Sequence, residues 1–311
     1  MNLFYRLIGE ALLLYMQRFK STRMTELLNA IKETLRVFEW RLSQLSKCTS
    51  CLGVSMLERH RLIKKKHYVY GAYLATISSY PVLYWSKATD KILASIFAKT
   101  SAITSIKVFD NLNDRWHSKG RAAVSLSKYF EAFTEGDFSF NEEEGFIPKA
   151  ENSAYSMARW TFDTIKRHVD AASPMFKLYV DDFTRLIKGQ VDSLTQKMDN
   201  DGKCELDIRR YLKEINEKSV GCTWLDIDFC FYERALGGLN DEEEAVNHAR
   251  AAMDHIFKAC NLYDDVADLS EDSRNGITNS VGLLAVDQGY CSMEELLTSE
   301  EPVKKLKRSQ A

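Results

Sequence analysis

Residues 82–119 read VLYWSKATDKILASIFAKTSAITSIKVFDNLNDRWHSK, a stretch that contains neither glycine nor proline. Large apolar side chains recur in it at intervals of three, four and seven residues, at Ile92, Ile96, Ile103, Ile106 and Phe109. These intervals place the side chains on one face of an α-helix. The stretch therefore predicts a long helix whose apolar face is turned toward a core.

The rest of the chain carries the same helical pattern. Residues 24–45 repeat it with Leu27, Leu28, Ile31, Leu35, Phe38, Leu42 and Leu45. Further helices are predicted at 175–198, 205–219, 222–236 and 241–272, and a polar loop is predicted at 134–153. The 311 residues include only 14 glycines and 4 prolines, too few for the many tight turns of a β-rich fold. We therefore expect an all-α fold, a single antiparallel helical bundle spanning residues 1–311.

Charge and cysteine content limit the partners and the compartment. The 42 basic and 44 acidic residues give a net charge of −2, so no basic field attracts nucleic acid. Seven cysteines at irregular spacing do not form a disulfide framework, which favours a cytoplasmic location. The apolar run near the N-terminus is interrupted by Arg6 and Glu10 and is followed by no cleavage site, so it is not read as a signal peptide. Its apolar face leaves contact with a membrane surface open, but no transmembrane helix is expected.

Cys48 and Cys51 form a C-x-x-C pair, with His60 and His67 further along the chain. Cysteine and histidine are typical zinc ligands. The pair is isolated and the histidine spacing is irregular, so the pattern does not favour a zinc site.

Asp110 and Asp114 are the first candidate metal ligands. Four residues apart, they lie one turn apart on the same face of a helix. Two carboxylates at this spacing repel each other unless a cation lies between them, and oxygen ligands suit Mg²⁺. A solvated helix end is the commoner origin of such a pair taken alone.

Asp264, Asp268 and Asp272 form a second acidic stripe over two helical turns. No basic residue lies within this stripe, whereas solvated acidic faces usually alternate with lysine or arginine. Arg274 follows within one turn and is placed to meet an anion, and Gly276 is a helix stop signal. Two acidic stripes on separate helices suggest a cage of two or three Mg²⁺ ions around a diphosphate, with Mn²⁺ as a substitute. The apolar interior of the bundle would accommodate an oily tail, and aromatic side chains would stabilise a carbocation.

Four segments occur in an order that is typical of one enzyme superfamily. They are residues 110–114 (DNLND), 188–194 (KGQVDSL), 211–219 (YLKEINEKS) and 264–268 (DDVAD). They resemble the first Asp-rich motif, the GQxxD segment, the YxxIxxKT segment and the second Asp-rich motif of the class I isoprenoid synthases, which comprise trans-prenyltransferases and class I terpene cyclases. Asn111 stands where the family has its second aspartate. The resemblance covers residues 90–282.

The resemblance implies a fold, a cofactor and roles for individual residues. The fold is the helical bundle of the class I terpenoid synthases, and the substrate is a prenyl diphosphate. The implied Mg²⁺ ligands are Asp110, Asp114, Asp264, Asp268 and Asp272, of which the last three also match the NSE triad of the cyclases. The implied catalytic residues are Lys218, Asp110 and Asp264. The substrate-binding candidates are Arg115, Lys218, Arg274, Gln190, Phe109 and Trp224. Gln190 has the alternative of supporting a kink at Gly189, and further candidate walls of the pocket are Trp116, Phe183, Phe229 and Phe257.

Departures from the family pattern favour cyclisation over condensation. The Gly-Lys-Arg segment and the Arg pair with which chain-elongating enzymes bind isopentenyl diphosphate have no counterpart here. We therefore predict a Mg²⁺-dependent terpene cyclase that releases pyrophosphate from a linear prenyl diphosphate. The alternatives are a trans-prenyltransferase that condenses isopentenyl diphosphate with an allylic diphosphate, and a non-catalytic helical subunit of such a synthase. A homodimer is also left open.

Overall fold

Every regular element in the described part of the chain is helical, which confirms the predicted all-α fold class. The computed structural model describes residues 24–85, 89–115, 117–136, 138–170, 172–196, 206–232, 243–298 and 300–309. The helices are α1 (Met24–Leu45), α2 (Val54–Arg59), α3 (Lys65–Trp85), α4 (Ile92–Arg115), α5 (Lys119–Thr134), α6 (Phe146–Lys166), α7 (Pro174–Ser193), α8 (Ile208–Lys213), α9 (Gly221–Tyr232), α10 (Glu243–Arg274), α11 (Ser280–Asp287), α12 (Met293–Thr298) and α13 (Glu300–Ser309). Short 3₁₀ turns cover Thr89–Lys91, Leu194–Gln196 and Ile215–Lys218.

The described residues fall into two compact units. The first unit takes its residues from 1–118, 127–179 and 224–241, and the second from 119–126, 180–223 and 242–311. That one domain spans residues 1–311 stays a prediction.

Three of the predicted elements differ from the observed ones. The helix predicted at 205–219 is observed as the short helix α8 (Ile208–Lys213) and the 3₁₀ turn Ile215–Lys218. The glycine-free stretch is divided, because α3 ends at Trp85 and α4 begins only at Ile92. The predicted polar loop ends early, because α6 begins at Phe146. Pro148 lies in the first turn of α6, where the missing N–H group is harmless because it has no partner within the helix.

Helix α4 is the central element of the first unit. It packs against α1, α3 and α6, and 16 of its 24 residues are buried. The prediction of a single apolar face was therefore incomplete, since serines and threonines are buried as well. The hydroxyl groups of Thr100 and Thr104 donate to the carbonyl groups one turn earlier, at 2.7 and 2.6 Å, and need no water.

Within the described residues, α4 is also the one helix that is long and apolar enough to cross a membrane by length and composition. Core helices have the same length and composition, and most of α4 is buried inside the first unit.

Helix α10 is the longest element of the second unit, with 32 residues. It contacts α11, α12, α13 and the 3₁₀ turn Ile215–Lys218. The predicted stop at Gly276 is confirmed: its φ is +66°, and Ile277 N–H donates to the carbonyl group of Asp272 at 2.9 Å. This is the Schellman arrangement, which requires a left-handed residue that glycine adopts without strain.

Candidate functional site

The first acidic pair lies at the C-terminal end of α4, in the first unit. Asp110 is half-buried and accepts a hydrogen bond from Lys107 Nζ at 3.0 Å, whereas Asp114 is exposed. Arg115 is exposed too, and its guanidinium group donates to the carbonyl group of His60 at 3.4 Å. Because both aspartates belong to one helix, their Cα atoms are separated by about 6 Å of helical rise. The predicted spacing on one helical face is therefore present.

Asn111, which stands where the resembled Asp-rich motif has its second aspartate, has a structural role of its own. Its side chain is buried, and Nδ2 donates to the carbonyl group of Leu62 at 2.9 Å. An ionised aspartate has no proton to donate and would place a negative charge against that carbonyl oxygen. The local fold therefore requires an amide here.

Phe109, a predicted wall of the substrate pocket, belongs to an aromatic cluster of the first unit. It is buried and stacks on Tyr129, with ring centroids 4.3 Å apart and an interplanar angle of 11°. Tyr155 lies within 6.1 Å of the same ring. The stacking accounts for the burial of Phe109 without a ligand.

Trp224, the second aromatic candidate, lies beside a buried ion pair. Its indole N–H donates to Ser78 Oγ at 2.8 Å, and Lys99 Nζ lies 5.1 Å from the centre of its ring. Lys99 pairs with Asp228, and both side chains are fully buried. Burial lowers the pKa of Lys99 although Asp228 acts in the opposite direction. Sequence reasoning missed this pair, because 129 residues separate its members.

His117, shortly after the first acidic pair, forms a second buried polar group that the sequence did not indicate. Its Nδ1 lies 2.7 Å from Asn113 Oδ1, and its Nε2 lies 2.8 Å from Glu151 Oε1. The imidazole of His117 and the carboxyl group of Glu151 are both fully buried. This group ties the end of α4 to α6 and thereby orients the turn that carries Asp114.

The second acidic stripe lies on one unbroken helix, α10, in the second unit. Asp264 and Asp268 are exposed, and Asp272 is half-buried. Asp272 accepts a hydrogen bond from Asn279 Nδ2 at 2.8 Å. Arg274 is exposed and its Nε donates to the carbonyl group of Ser270 at 2.9 Å. The predicted register of three carboxylates along two turns is therefore present in α10.

Asp265 differs sharply from its neighbour Asp264. Its Oδ2 accepts hydrogen bonds from Tyr211 at 2.7 Å, from the Ser280 hydroxyl group, and from the Ser280 N–H group at 3.0 Å. It thereby connects α8 and the start of α11 to α10. The sequence offers two adjacent aspartates and no signal for which of them is used in this way.

Lys218 ends the 3₁₀ turn Ile215–Lys218 and is half-buried. The turn is fixed on two sides. Asn261 Nδ2, on α10, donates to Asn216 Oδ1 at 3.4 Å. A Cβ atom on Gly189 would lie only 2.3 Å from the backbone nitrogen of Lys218, so α7 and this turn are in direct backbone contact.

Gly189 therefore permits a close approach, and α7 continues past it to Ser193. Gln190, the neighbouring candidate, is buried. Among the other candidate walls, Phe183 and Phe229 are buried and Phe257 is half-buried, while Trp116 lies outside the described residues.

A network of charged side chains surrounds Glu217, the neighbour of Lys218. Arg185 contacts Glu217 at 3.4 Å and Asp254 at 3.7 Å, and Lys258 contacts the same two carboxylates. Burial works against the charge of Lys258, but its hydrogen bonds to Asp254 and Glu217 raise the pKa of its ammonium group. The spacing of Arg250, Asp254 and Lys258 was a visible sequence signal for such a network, since they lie on one face of α10.

The aspartates fit Mg²⁺ in number and chemistry, although they do not form a ready-made cage. No group of three or more histidine, cysteine or acidic side chains is close enough to hold a metal ion in the part of the chain that the structure describes. Mg²⁺ usually keeps several water molecules and binds through one or two carboxylates plus substrate phosphate oxygens. Carboxylates one turn apart on α4 and on α10 meet that requirement within each unit.

Comparisons with known protein families, with curated proteins and with solved structures gave no match.

Proposed function

We propose that this protein is a Mg²⁺-dependent class I terpene synthase, which ionises a linear prenyl diphosphate, releases pyrophosphate and cyclises the resulting carbocation. The proposal includes the class I terpenoid synthase type of helical bundle. One observation carries it: in the second unit, the turn that ends with Lys218 is held against α10 just before the acidic stripe begins.

The contacts along α10 support this arrangement. Lys258 and Asn261 bind Glu217 and Asn216 of the turn, and Asp264 follows Asn261 by three residues on the same helix. Residues three or four positions apart lie on the same side of a helix. Asp264, Asp268 and Asp272 therefore continue along α10 from Asn261, which contacts the turn. This arrangement suits an anionic ligand such as a diphosphate. Lys218 on the turn would contact the anion directly, and the carboxylates of α10 would bind it through metal ions.

Each candidate residue has a distinct role in the proposed reaction. Asp264, Asp268 and Asp272 would hold Mg²⁺ in the second unit, and Asp110 and Asp114 would do so in the first. When bound, Mg²⁺ supplies positive charge that stabilises the departing diphosphate. The candidates for direct contact with diphosphate oxygens are Lys218, Arg115 and Arg274.

The remaining candidates act on the organic part of the substrate. Phe109 and Trp224 present aromatic rings in a buried setting, where a cation is attracted to the face of a ring. Gln190 is proposed to orient the substrate through its amide group. An apolar interior also keeps water away from the carbocation, so that ring closure competes successfully with hydrolysis.

The decisive test is pyrophosphate release by purified protein with Mg²⁺ and a panel of C10–C25 prenyl diphosphates. We expect Asp264→Ala to lower the rate by about 10²-fold, the usual effect of losing one group that stabilises developing charge. Glu244→Ala is the matched control, because Glu244 is an exposed carboxylate at the start of the same helix. Unchanged release by the Asp264 variant would contradict the metal assignment.

Product analysis by gas chromatography separates cyclisation from condensation. A cyclic hydrocarbon or alcohol from a single diphosphate supports the proposal. A longer linear product after addition of isopentenyl diphosphate would overturn it in favour of chain elongation. Absence of any Mg²⁺-dependent turnover in the unmodified protein would favour a non-catalytic subunit.

A further inference from the structure

The C-x-x-C pair lies in a tight turn that follows α1 in the first unit. Cys51 N–H donates to the carbonyl group of Cys48 at 3.2 Å, which closes a four-residue turn. The first and last Cα atoms of such a turn are less than about 7 Å apart. Disulfides need a Cα separation of roughly 4.4–6.8 Å. The backbone therefore already holds the two cysteines at a distance that a disulfide can bridge.

The two cysteines differ in accessibility, and Cys48 is near enough to Cys51 to contribute to the raised pKa of its thiol. Cys48 is half-buried, whereas Cys51 is buried and its Sγ lies 3.5 Å from Ser156 Oγ. Burial is the main cause that raises the pKa of Cys51 to about 12. Cys48 is thus the thiol that a reagent reaches first, and Cys51 is the internal partner.

Helix α6 fixes the turn from the other side. Asn152 Nδ2 donates to the carbonyl group of Ser50 at 2.9 Å, and the Leu52 N–H group donates to Ser153 Oγ at 2.8 Å. These bonds anchor the backbone on both sides of Cys51. Because the backbone already lies at bridging distance, a disulfide between Cys48 and Cys51 requires rotation of the cysteine side chains rather than movement of the chain.

Zinc does not account for the pair. Structural zinc needs four ligands, and the two cysteines supply two. The ring of His60 packs on Phe146 with centroids 4.4 Å apart, and His67 Nδ1 accepts the Lys64 N–H group at 3.2 Å. Among the residues placed by the structure, no third ligand joins the pair.

We propose that Cys48 and Cys51 form a reversible dithiol–disulfide centre that exchanges with small disulfides such as oxidised glutathione. The Cys48 thiolate attacks one sulfur of the small disulfide, which forms a mixed disulfide and releases the first thiolate. Cys51 then loses its proton to water or buffer and attacks Cys48 Sγ, which releases the second thiolate. The two cysteines together lose two electrons and two protons, and the small disulfide is reduced to two thiols.

The centre is independent of the proposed terpene synthase reaction. No step of that reaction uses either cysteine, and the test below needs no substrate or metal. In a reducing compartment such a pair would be a dithiol most of the time and would become a disulfide only under oxidising conditions.

The experiment is oxidation of the full-length protein by oxidised glutathione, followed by mass spectrometry of the intact chain and of its peptides. We expect a disulfide between Cys48 and Cys51 that dithiothreitol removes. Cys51→Ser should stop at a glutathione adduct on Cys48, because the internal partner is missing. Cys48→Ser should give no adduct on Cys51. Cys260→Ser, which removes a half-buried cysteine elsewhere, should form the disulfide as the unmodified protein does.

Two results would overturn the proposal. One is a stable glutathione adduct on Cys48 in the unmodified protein with no internal disulfide. The other is an unmodified Cys48–Cys51 pair under conditions that oxidise Cys260 or Cys291. Since both results come from the unmodified chain, they do not depend on the folding of any variant.

Discussion

Replacing Gly189 by alanine tests the link between the packing of α7 and the position of Lys218. The added Cβ atom would lie 2.3 Å from Lys218 N, 2.6 Å from Glu217 C and 2.9 Å from Lys218 Cα. Ordinary contacts begin at 3.4 Å, so the turn Ile215–Lys218 must move by about 1 Å. All three contacts are backbone atoms, and no rotation of a side chain relieves them.

The expected changes in stability and activity follow from this displacement. Overpacking a tight contact costs about 1–3 kcal/mol, and alanine in a helix returns about 0.5–1 kcal/mol relative to glycine. The free energy of unfolding should therefore fall by up to about 2.5 kcal/mol. A catalytic group misplaced by about 1 Å lowers turnover by up to about 10²-fold. If Lys218 binds the diphosphate, kcat/KM should fall by more than the loss of folded protein explains.

Gly120→Ala is the matched control for this experiment. Gly120 is an exposed glycine of α5 with nothing within 4 Å of an added Cβ atom. Its replacement should leave activity unchanged and stabilise the protein by about 0.5–1 kcal/mol. Urea denaturation and pyrophosphate release measure the two effects. Equal stability and equal turnover of the two variants would refute the reasoning about Gly189.

Three further predictions concern stability and are measured by thermal or urea unfolding. Asn111→Asp completes the resemblance to the Asp-rich motif but removes the donor to Leu62, so we expect a loss of about 1–3 kcal/mol; unchanged stability would contradict the role of the amide. Lys99→Met leaves Asp228 buried without its ion-pair partner, which should cost about 3–5 kcal/mol, and replacing both residues by apolar ones should recover most of it. Asp265→Ala leaves three hydrogen-bond donors without their acceptor and should cost about 1–3 kcal/mol; a neutral result would mean that water replaces the carboxylate.

Local patterns of the sequence were sufficient for most of the helices. Gly276 follows the end of α10, as predicted, and Pro174 is the first residue of α7, because each acts through its own backbone geometry. The glycine-free stretch 82–119 holds more than one helix, since α3 ends at Trp85, Thr89–Lys91 form a 3₁₀ turn and α4 begins at Ile92. The burial of serine and threonine in α4 was also missed. Hydropathy ranks these side chains as polar and ignores that their hydroxyl groups can donate to carbonyl groups of the same helix and so be buried without water.

The candidate site also has features that the sequence shows and features that it does not. The spacing of Asp264, Asp268 and Asp272 is visible in the sequence and survives in α10, since four-residue steps on a helix depend on nothing else. The distinction between Asp264 and Asp265 is not visible, because the partners of Asp265 lie 54 and 15 residues away.

The sequence by itself determined the all-α class, several helix limits and the register of the acidic stripes. These features arise from interactions between residues three or four positions apart, which a linear pattern displays directly. Only the tertiary structure decided the buried ion pair of Lys99 with Asp228, the contact of His117 with Glu151 and the backbone contact at Gly189. Each of these depends on groups far apart in the chain whose burial removes water as an alternative partner, and a single sequence does not specify which groups meet.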